Sequence, residues 1–329
     1  MEKYLNKVMI IDGSYVLHRS LKSPGLQELQ TSTGKKSGGV FGSLRTLQAE
    51  IKKFPGYFPI FCFDKGLSKR RTEVYPDYKA NRKRQQADTL IAAGVAGEQD
   101  DYLYEYRRQR ADLIAILKSL GIPSLLIPGW EGDDLQYLLS TVCEEGVVVS
   151  DDKDMIQLVA PNIKVRRSMV DQLIEWDENE TYYHHPRFTI RKSIVGDGSD
   201  NIPKCAPGVG DKGADQIAQL IENVPFDQYK STLEEYCESN SKGLATKVRK
   251  LLDNWDQFLI NYQLIDLRLV EAPPGFESMI RDLIAGVVGH SNIMTAYKLI
   301  GQYEMNTIFP DQIISLIAPS SVQLMKNPK

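Results

Sequence analysis

The segment GWEGDDLQYLLSTVCEEGVVVSDDKDM, residues 129–155, places a helix pattern before a strand pattern, with acids on both sides. DDLQYLLSTV predicts a helix because its apolar residues recur at helical spacing. VVVS, at 147–150, is a short uninterrupted apolar run, which is typical of a strand covered on both faces in a parallel sheet. The flanking acids are Glu131, Asp133, Asp134, Asp151, Asp152 and Asp154. The segment therefore predicts an α/β fold with several carboxylates beside a buried strand.

The rest of the N-terminal half repeats this alternation. Further strand-like runs lie at 7–11, 59–63 and 124–127, and helical patterns lie at 38–54 and 106–121. Alternating strands and helices predict a parallel sheet with right-handed crossovers. Helical patterns dominate after about residue 185. We therefore predict an α/β domain over residues 1–185 and a mostly helical domain over residues 186–329, as the length of the chain allows.

The formal net charge of −3 hides a basic segment at residues 65–84, where eight Lys or Arg stand against two acids and give a local charge of +6. Clustered acids beside a basic segment suggest a site for cations next to a surface for a polyanion. No run of about 18 apolar residues occurs, so we predict no membrane span. The four cysteines are scattered and the start lacks a signal-peptide pattern, so we expect reduced thiols and a cytoplasmic location.

Acids follow the predicted strands at the points where the strands end. Asp12 comes directly after VMII, Asp64 comes directly after FCF, and Asp152 lies just beyond VVVS, while SLLI leads through PGW to Glu131. The carboxyl ends of parallel strands share one edge of the sheet, where ligands bind. A single Asp after a strand is more often a helix cap or a turn former. Four strands that deliver acids to one edge nevertheless favour a cation site.

The acids form an all-oxygen set, and no His or Cys in the clusters suggests zinc. Such a set suits Mg²⁺ or Mn²⁺, and a pair of these ions is the arrangement that promotes phosphodiester hydrolysis. GDGSDN, at 196–201, adds Asp197 and Asp200 just before the helical domain. We interpret these two acids as the last pair of ligands.

The motifs together resemble those of one family. IDGS, FDKG, YKANR, WEGDDL, SDDKD, GDGSDN and PGVGDKGA occur here in the order and spacing of the 5′-nuclease, or flap endonuclease, family. The sequence is similar to free-standing bacteriophage-type 5′→3′ exonucleases and to the 5′-nuclease domain of bacterial DNA polymerase I. The resemblance implies a PIN-like parallel-sheet core with a helical arch at about 65–110. It also implies a helix–hairpin–helix at about 200–222. Residues after about 270 match no motif.

The resemblance also implies roles for individual residues. The metal ligands would be Asp12, Asp64, Glu131, Asp133, Asp134, Asp152, Asp154, Asp197 and Asp200. Asp151 matches no ligand position and is expected to be a solvated neighbour. Lys79 and Arg82, three residues apart and on one face if helical, would act on the scissile phosphate. The DNA contacts would be Lys65, Lys69, Arg70, Tyr78, Gly208, Gly210 and Lys212, with a possible K⁺ at the helix–hairpin–helix.

The function that the resemblance implies is a structure-specific 5′ nuclease with two Mg²⁺ ions, for which Mn²⁺ can substitute. It would remove 5′ flaps, and RNA primers in RNA–DNA hybrids, during DNA replication. Expected partners are branched or flapped DNA and replication proteins such as a single-strand-binding protein, a clamp or a helicase loader. We expect a monomer, in the host cytoplasm if the protein is encoded by a bacteriophage.

Two alternatives remain open. A PIN-domain ribonuclease would share the sheet and the acids, but the basic segment and the helix–hairpin–helix pattern argue against it. A non-catalytic, structure-selective DNA-binding protein would share the basic surfaces, but the complete set of acids argues against it.

Three further features of the sequence carry predictions. The glycine-rich stretch TSTGKKSGGVFG, residues 31–42, is expected to be a flexible DNA-contacting loop that opens a helix. Tyrosines of the arch segment, which are Tyr78, Tyr102, Tyr104 and Tyr106, offer rings on which bases could stack. The tail at 319–329 is expected to be frayed.

Overall fold

The computed structural model describes residues 2–81, 98–179, 182 and 184–325. Its sheet contains six strands in the order β3-β2-β1-β4-β5-β6. Neighbouring strands are parallel from β3 to β5, and β6 is antiparallel to β5. The strands are β1 (Leu5–Asp12), β2 (Phe58–Cys62), β3 (Ser124–Leu125), β4 (Cys143–Val149), β5 (Ile163–Arg167) and β6 (Gln172–Ile174). The α/β class predicted from the sequence is confirmed.

Helices cover the sheet and continue through the C-terminal half. Those of the first half are α1 (Gly13–Lys22), α2 (Pro24–Gln27), α3 (Gly38–Lys53), α4 (Lys69–Val74), α5 (Glu98–Ser119) and α6 (Gly132–Val142). The second half holds α7 (Arg187–Val195), α8 (Asp211–Ile221), α9 (Tyr229–Ser239), α10 (Leu244–Leu252) and α11 (Trp255–Ile265). The last helices are α12 (Phe276–Val287), α13 (Ile293–Gly301) and α14 (Pro310–Val322).

The central strands β1, β2 and β4 lie where uninterrupted apolar runs predict them, because both faces of the sheet are covered. Strand β5 was not predicted, and its sequence, IKVRR, explains why. Arg166 within this strand is only 4% exposed, and its guanidinium is paired with Glu50 of α3 at 3.2 Å. A charged residue that is buried with a partner looks, in the sequence, like a residue of a solvated loop.

The glycines at the start of α3 serve close packing between helices. A Cβ built on Gly42 would lie 2.4 Å from the hydroxyl of Ser20, and one on Gly39 would lie 2.7 Å from the Oε1 of Gln109. Gly38 and Gly39 lie inside the helix and are buried. The prediction of a flexible DNA-contacting loop is therefore wrong for residues 38–42, which pack α3 against α1, α2 and α5.

In the described part of the chain, the buried apolar residues form two large cores and one small cluster of Tyr78, Ile202, Leu264 and Ile265. The first, which we call the sheet core, joins the sheet and its flanking helices to α12, α13 and α14. The second lies within a helical unit, residues 187–265, formed by α7 to α11. The prediction that all residues after 185 form one helical domain differs from this packing. Apolar residues of the last three helices, such as Ile280, Ile300 and Ile313, belong to the sheet core instead.

The end of the described chain lies against its beginning. The backbone nitrogen of Asn6 donates to the carbonyl of Leu324 at 2.9 Å, and Leu5 forms an antiparallel bridge with Met325. The predicted fraying therefore does not apply to residues 319–325, and residues 326–329 lie outside the described part. No helix of the described residues is long and apolar enough to cross a membrane.

Candidate active site

The acids at the carboxyl edge of the sheet double as caps for the segments that follow them. The Asp12 carboxylate accepts from the backbone nitrogen of Tyr15 at the start of α1. Asp152 accepts from the backbone nitrogen of Asp154, and Asp197 accepts from that of Ser199. The cap interpretation and the ligand interpretation of these residues are therefore compatible. Capping fixes each carboxylate at the edge where the others also lie.

Asp12 and Asp64 stand at the ends of the neighbouring strands β1 and β2. The Asp12 carboxylate is 9% exposed and accepts from the hydroxyl of Ser150 at 2.9 Å. Asp64 accepts from the backbone nitrogen of Gly132 at 2.5 Å. Burial, followed by the nearby Asp64 carboxylate, raises the pKa of Asp12 to about 7. Two carboxylates so close together, with little water around them, call for a positive partner.

A third group of acids surrounds Arg71. The guanidinium lies 2.7 Å from Glu131, 3.1 Å from Asp133 and 3.1 Å from Asp134. One oxygen of each acid lies within 4.8 Å of the other two, a spacing that a metal ion could bridge. Arg71 already sits among them, so the open side of the cluster is formed by Glu131 and Asp133. The Asp134 side chain is only 2% exposed and is turned toward Arg71.

Another group of charged residues, Lys192, Asp154 and Asp197, joins the sheet core to the helical unit. Lys192 of α7 pairs with Asp154, which follows β4, and with Asp197 at 2.9 Å. Burial raises the pKa of Asp154 to about 7, and the Asp152 carboxylate adds to this rise while Lys192 opposes it. Burial acts in the same direction on Asp197, but the Lys192 ammonium outweighs it and lowers the pKa of that carboxyl to about 2.

Lys79 and Tyr78 lie between the carboxylates of Glu131 and Asp200. Lys79 donates to Glu131 at 2.6 Å and lies 3.8 Å from Asp200. The Tyr78 hydroxyl donates to Glu131 at 3.0 Å and to Asp200 at 3.1 Å. Lys79 has a φ of 56° and precedes the helical residues 80 and 81. The lysine is therefore not on a helix face, and Arg82 lies outside the described residues.

Together these groups line one cavity of about 280 Å³, which we call the acidic cavity. Its eight carboxylates are Asp12, Asp64, Glu131, Asp133, Asp152, Asp154, Asp197 and Asp200, and Lys79 is the ammonium that lines it with them. Asp134 is not part of this lining. His18 also lines the cavity, with its Nδ1 paired to the Tyr102 hydroxyl. The carboxylate oxygens dominate the donors, and a set with so much negative charge fits hard divalent cations. The raised pKa of Asp12 is the observation that supports this fit.

The raised pKa values predict how the metal-free protein responds to pH. The folded pKa of about 7 for Asp12 and Asp154 exceeds the ordinary value of 3.8. The folded state therefore retains protons that the unfolded state has released in this window, and the free energy of unfolding falls as pH rises through it. We expect a lower melting temperature in EDTA at about pH 8 than at about pH 5.5, and a smaller difference for Asp12→Asn. A melting temperature that rises across this range contradicts the assignment.

Several residues predicted to contact DNA lie elsewhere. Tyr78 is 3% exposed, so its ring does not offer the face that base stacking requires. Arg70 donates to the carbonyl of Gln263, and together with the exposed Lys69 it lines a different cavity beside Trp130. Tyr106 is stacked on His18 with ring centroids 4.0 Å apart.

Other predicted DNA contacts keep exposed side chains. Lys65 directly follows Asp64 in the chain and is exposed, and Tyr104 is 63% exposed. The middle of the predicted arch, residues 82–97, lies outside the described residues.

Asp151 is not the solvated neighbour that the sequence predicts. Its side chain is 5% exposed and pairs with Arg19 at 3.5 Å. Its oxygens accept from the hydroxyl of Ser168 and from the backbone nitrogen of Met169. The carboxylate therefore serves the contact between α1 and the β5–β6 turn.

Sequence reasoning missed two cations that hold the acids. Arg71 was considered only as part of the basic segment, and Lys192 was not considered. A possible signal for Lys192 is its position five residues before Asp197. In the sequence, however, a lysine on a helix is most simply a solvated residue.

The predicted helix–hairpin–helix region, about 200–222, contains α8 and most of the segment 196–210 that joins it to α7, and α8 packs against α7. Gly208 has a φ of 80°, which favours glycine, and Gly210 is the N-cap of α8. Lys212 is exposed in the first turn of α8. This arrangement leaves the helix N-terminus and one ammonium accessible on the same side as Gly210, and the helix–hairpin–helix itself stays a prediction.

The PIN-like sheet and the acidic cavity define a nuclease of the 5′-nuclease class, and comparison with known proteins agrees. A family model described as "5′-3′ exonuclease, N-terminal resolvase-like domain" matches residues 7–185. The chain belongs to the 5′-3′ exonuclease family, as the sequence motifs predict. It is 29% identical over 274 residues to the 5′-3′ exonuclease of Buchnera aphidicola from Acyrthosiphon pisum, covering 80% of this chain and 87% of that protein.

Two further comparisons are consistent with this family. DNA polymerase I of Pseudomonas aeruginosa is 31% identical over 269 residues, which are 79% of this chain but 27% of the polymerase. A solved structure of the bacteriophage T5 D15 flap endonuclease, in a complex with DNA and metal ions, aligns with a TM-score of 0.60. That alignment covers 91% of this chain and 100% of the T5 chain at 21% identity, and it supports the fold.

Proposed function

We propose that this protein is a divalent-metal-dependent, structure-specific 5′ nuclease that cuts DNA at 5′ flaps and 5′ ends, and RNA primers paired to DNA. The observation that carries the proposal is the acidic cavity, with its eight carboxylates, in a member of the 5′-3′ exonuclease family. The T5 flap endonuclease of similar fold has been crystallised with DNA and metal ions, which supports DNA as the substrate class. Family membership favours this function over a PIN-domain ribonuclease and over a non-catalytic binding protein.

The acids of the cavity would hold the divalent ions, with Asp12, Asp64, Glu131 and Asp133 on the sheet side. Asp152, Asp154, Asp197 and Asp200 would hold them on the side of the helical unit. Bound Mg²⁺ or Mn²⁺ would supply a hydroxide-like nucleophile at neutral pH and neutralise charge on the scissile phosphate. The caps described above keep the carboxylate oxygens fixed before any ion binds.

Lys79 would act on the phosphate itself. Its ammonium lines the acidic cavity, and its side chain is 11% exposed, so the group lies at the boundary between the acids and solvent. Glu131 and Asp200 hold it there. A cation fixed in this position would stabilise the extra negative charge that develops on a phosphodiester during cleavage.

One gel tests the function. A 5′-labelled flap, a nicked duplex and an RNA–DNA hybrid are incubated with the protein in Mg²⁺, in Mn²⁺ and in EDTA. We expect metal-dependent release of the flap and of 5′-terminal products from the other substrates. Cleavage of single-stranded RNA without any preference for flaps would support the ribonuclease, and binding without cleavage would support the non-catalytic protein.

We expect Lys212→Ala to weaken binding to substrates that contain duplex DNA without moving the cut site. The exposed ammonium and the N-terminus of α8 would contact one phosphate, so the salt dependence of binding should fall by about one unit of slope. Electrophoretic mobility shift assays at several salt concentrations measure both effects. Lys230→Ala, an exposed lysine of α9 in the same helical unit, is the matched control. Loss of single-strand binding with normal duplex binding contradicts the assignment.

A further inference from the structure

Arg71 is a buried arginine held by groups from two other helices. The residue is 2% exposed. Besides its three contacts with the acids of α6, its Nε donates to the carbonyl of Leu264 at the end of α11 at 2.9 Å. A side chain enclosed in this way cannot reach a substrate in the acidic cavity. Its role must therefore be exerted through the acids that it touches.

We infer that Arg71 is a positioning residue for the candidate metal site: its planar fork holds Glu131 and Asp133 toward the acidic cavity and Asp134 away from it. The inference rests on the proposed metal-dependent function. Glu131 shows the arrangement most clearly, since one oxygen accepts from Arg71 and the other faces Lys79 in the cavity. Asp134 has the opposite orientation and lines a separate cavity beside Arg70 and Trp130. Asp134 would therefore anchor Arg71 and would not itself bind the ion.

The geometry requires an arginine and not merely a positive charge. Nη1 donates to Glu131 at 2.7 Å and Nη2 donates to Asp133 at 3.1 Å, while Oδ1 of Asp134 lies 3.1 Å from Nη2 without a hydrogen bond. Nε is used for Leu264, so all three nitrogens are engaged in one plane. A lysine carries the same charge as a compact point and cannot make these directed contacts together. Substitution of Arg71 by lysine therefore keeps the positive charge but removes the contacts that orient the carboxylates.

The test is Mn²⁺ binding to the full-length protein without DNA, measured by isothermal titration calorimetry for the wild type and for Arg71→Lys. Because the net charge is unchanged, any loss reports the orientation of the carboxylates. We expect the Mn²⁺ affinity to fall by about 10-fold to 100-fold, the range found when partners of metal ligands are removed. The single-turnover rate should fall at low Mn²⁺ and recover at high Mn²⁺. Wild-type affinity in Arg71→Lys overturns the inference.

Arg166→Lys is the matched control, because Arg166 is another buried arginine that bridges two acids, Glu50 and Asp171, away from the cavity. Its melting temperature should fall while its Mn²⁺ affinity stays normal. If Arg71→Lys does not fold, Asp134→Asn provides the test, since it keeps the arginine. We expect the wild-type number of bound Mn²⁺ ions and a loss of affinity of less than about tenfold. Loss of one bound ion would show that Asp134 is a ligand and overturn the inference.

Asp12→Asn separates this inference from the proposed function. Asp12 lines the acidic cavity but does not contact Arg71. If the wild type binds Mn²⁺ and Asp12→Asn weakens that binding, the metal site is established, and the lysine variant then decides the role of Arg71 alone. If the wild type binds no Mn²⁺, the proposed function and the inference both fall.

Discussion

Asp154→Asn is expected to abolish cleavage of a 5′ flap while leaving flap binding within a few-fold of the wild type. Asp154 follows β4, lines the acidic cavity and pairs with Lys192 of the helical unit. Removing its negative charge takes one oxygen ligand from the proposed metal site, whereas the basic surfaces that would bind DNA are unchanged. The loss of rate should be about 10²-fold or more, at or beyond the upper end of the range for groups that support a metal site.

Asp151→Asn is the control for this variant, because it changes an acid of the same SDDKD segment. The Asp151 carboxylate points toward Arg19 and Ser168 and is not part of the cavity lining. We expect it to cleave at a rate near that of the wild type once its folding has been checked by a thermal melt. Single-turnover assays across a Mg²⁺ titration compare the two variants. Full activity of Asp154→Asn at low Mg²⁺ would remove Asp154 from the set of ligands.

Lys79→Ala is expected to lose about 10²-fold in single-turnover rate, the scale found for one preorganised electrostatic donor. The reason lies in where the ammonium stands. It lines the cavity beside Glu131 and Asp200, so it would meet charge that is greater in the transition state than in the bound substrate. An interaction of this kind lowers the rate when it is lost and changes affinity little.

Lys65→Ala should show the reverse behaviour. Lys65 is exposed, directly follows Asp64 in the chain and does not line the cavity, so its loss should weaken flap binding and leave the rate at saturation near normal. Single-turnover cleavage is measured against enzyme concentration for both variants. A wild-type rate for Lys79→Ala at saturating enzyme would mean that this lysine only binds DNA.

The sheet and its acids could be predicted because they leave local patterns. Apolar runs such as VMII and VVVS indicate covered strands, and an acid at the end of each run indicates a shared edge. The buried basic side chains that pair with these acids could not be predicted in the same way. Arg71 stands in a run of positive charge that is typical of a solvated surface, yet three carboxylates from α6 enclose it. Only the tertiary contact between α4 and α6 distinguishes these two situations.

The C-terminal helices show a different limit. Their apolar stripes predict that they pack against another part of the protein, but an amphipathic pattern does not show which part that is. Ile280 and Ile300 could have joined either core, and the structure places them with the sheet. Tyr78 shows the same limit for a single residue. An aromatic residue in a basic segment suggests base stacking, but in the structure the Tyr78 hydroxyl donates to Glu131.

The return of the last helices to β1 makes the helical unit an insertion rather than an appendage. The chain leaves the sheet core before α7 and re-enters it after α11, so two crossings tether the unit instead of one. The acidic cavity lies across the boundary between the two parts, because Asp197 and Asp200 come from the inserted part while Asp12 and Asp64 come from the host. The set of acids that lines the cavity is thus supplied by both parts of the chain, and a cut of the polypeptide at residue 185 would divide it.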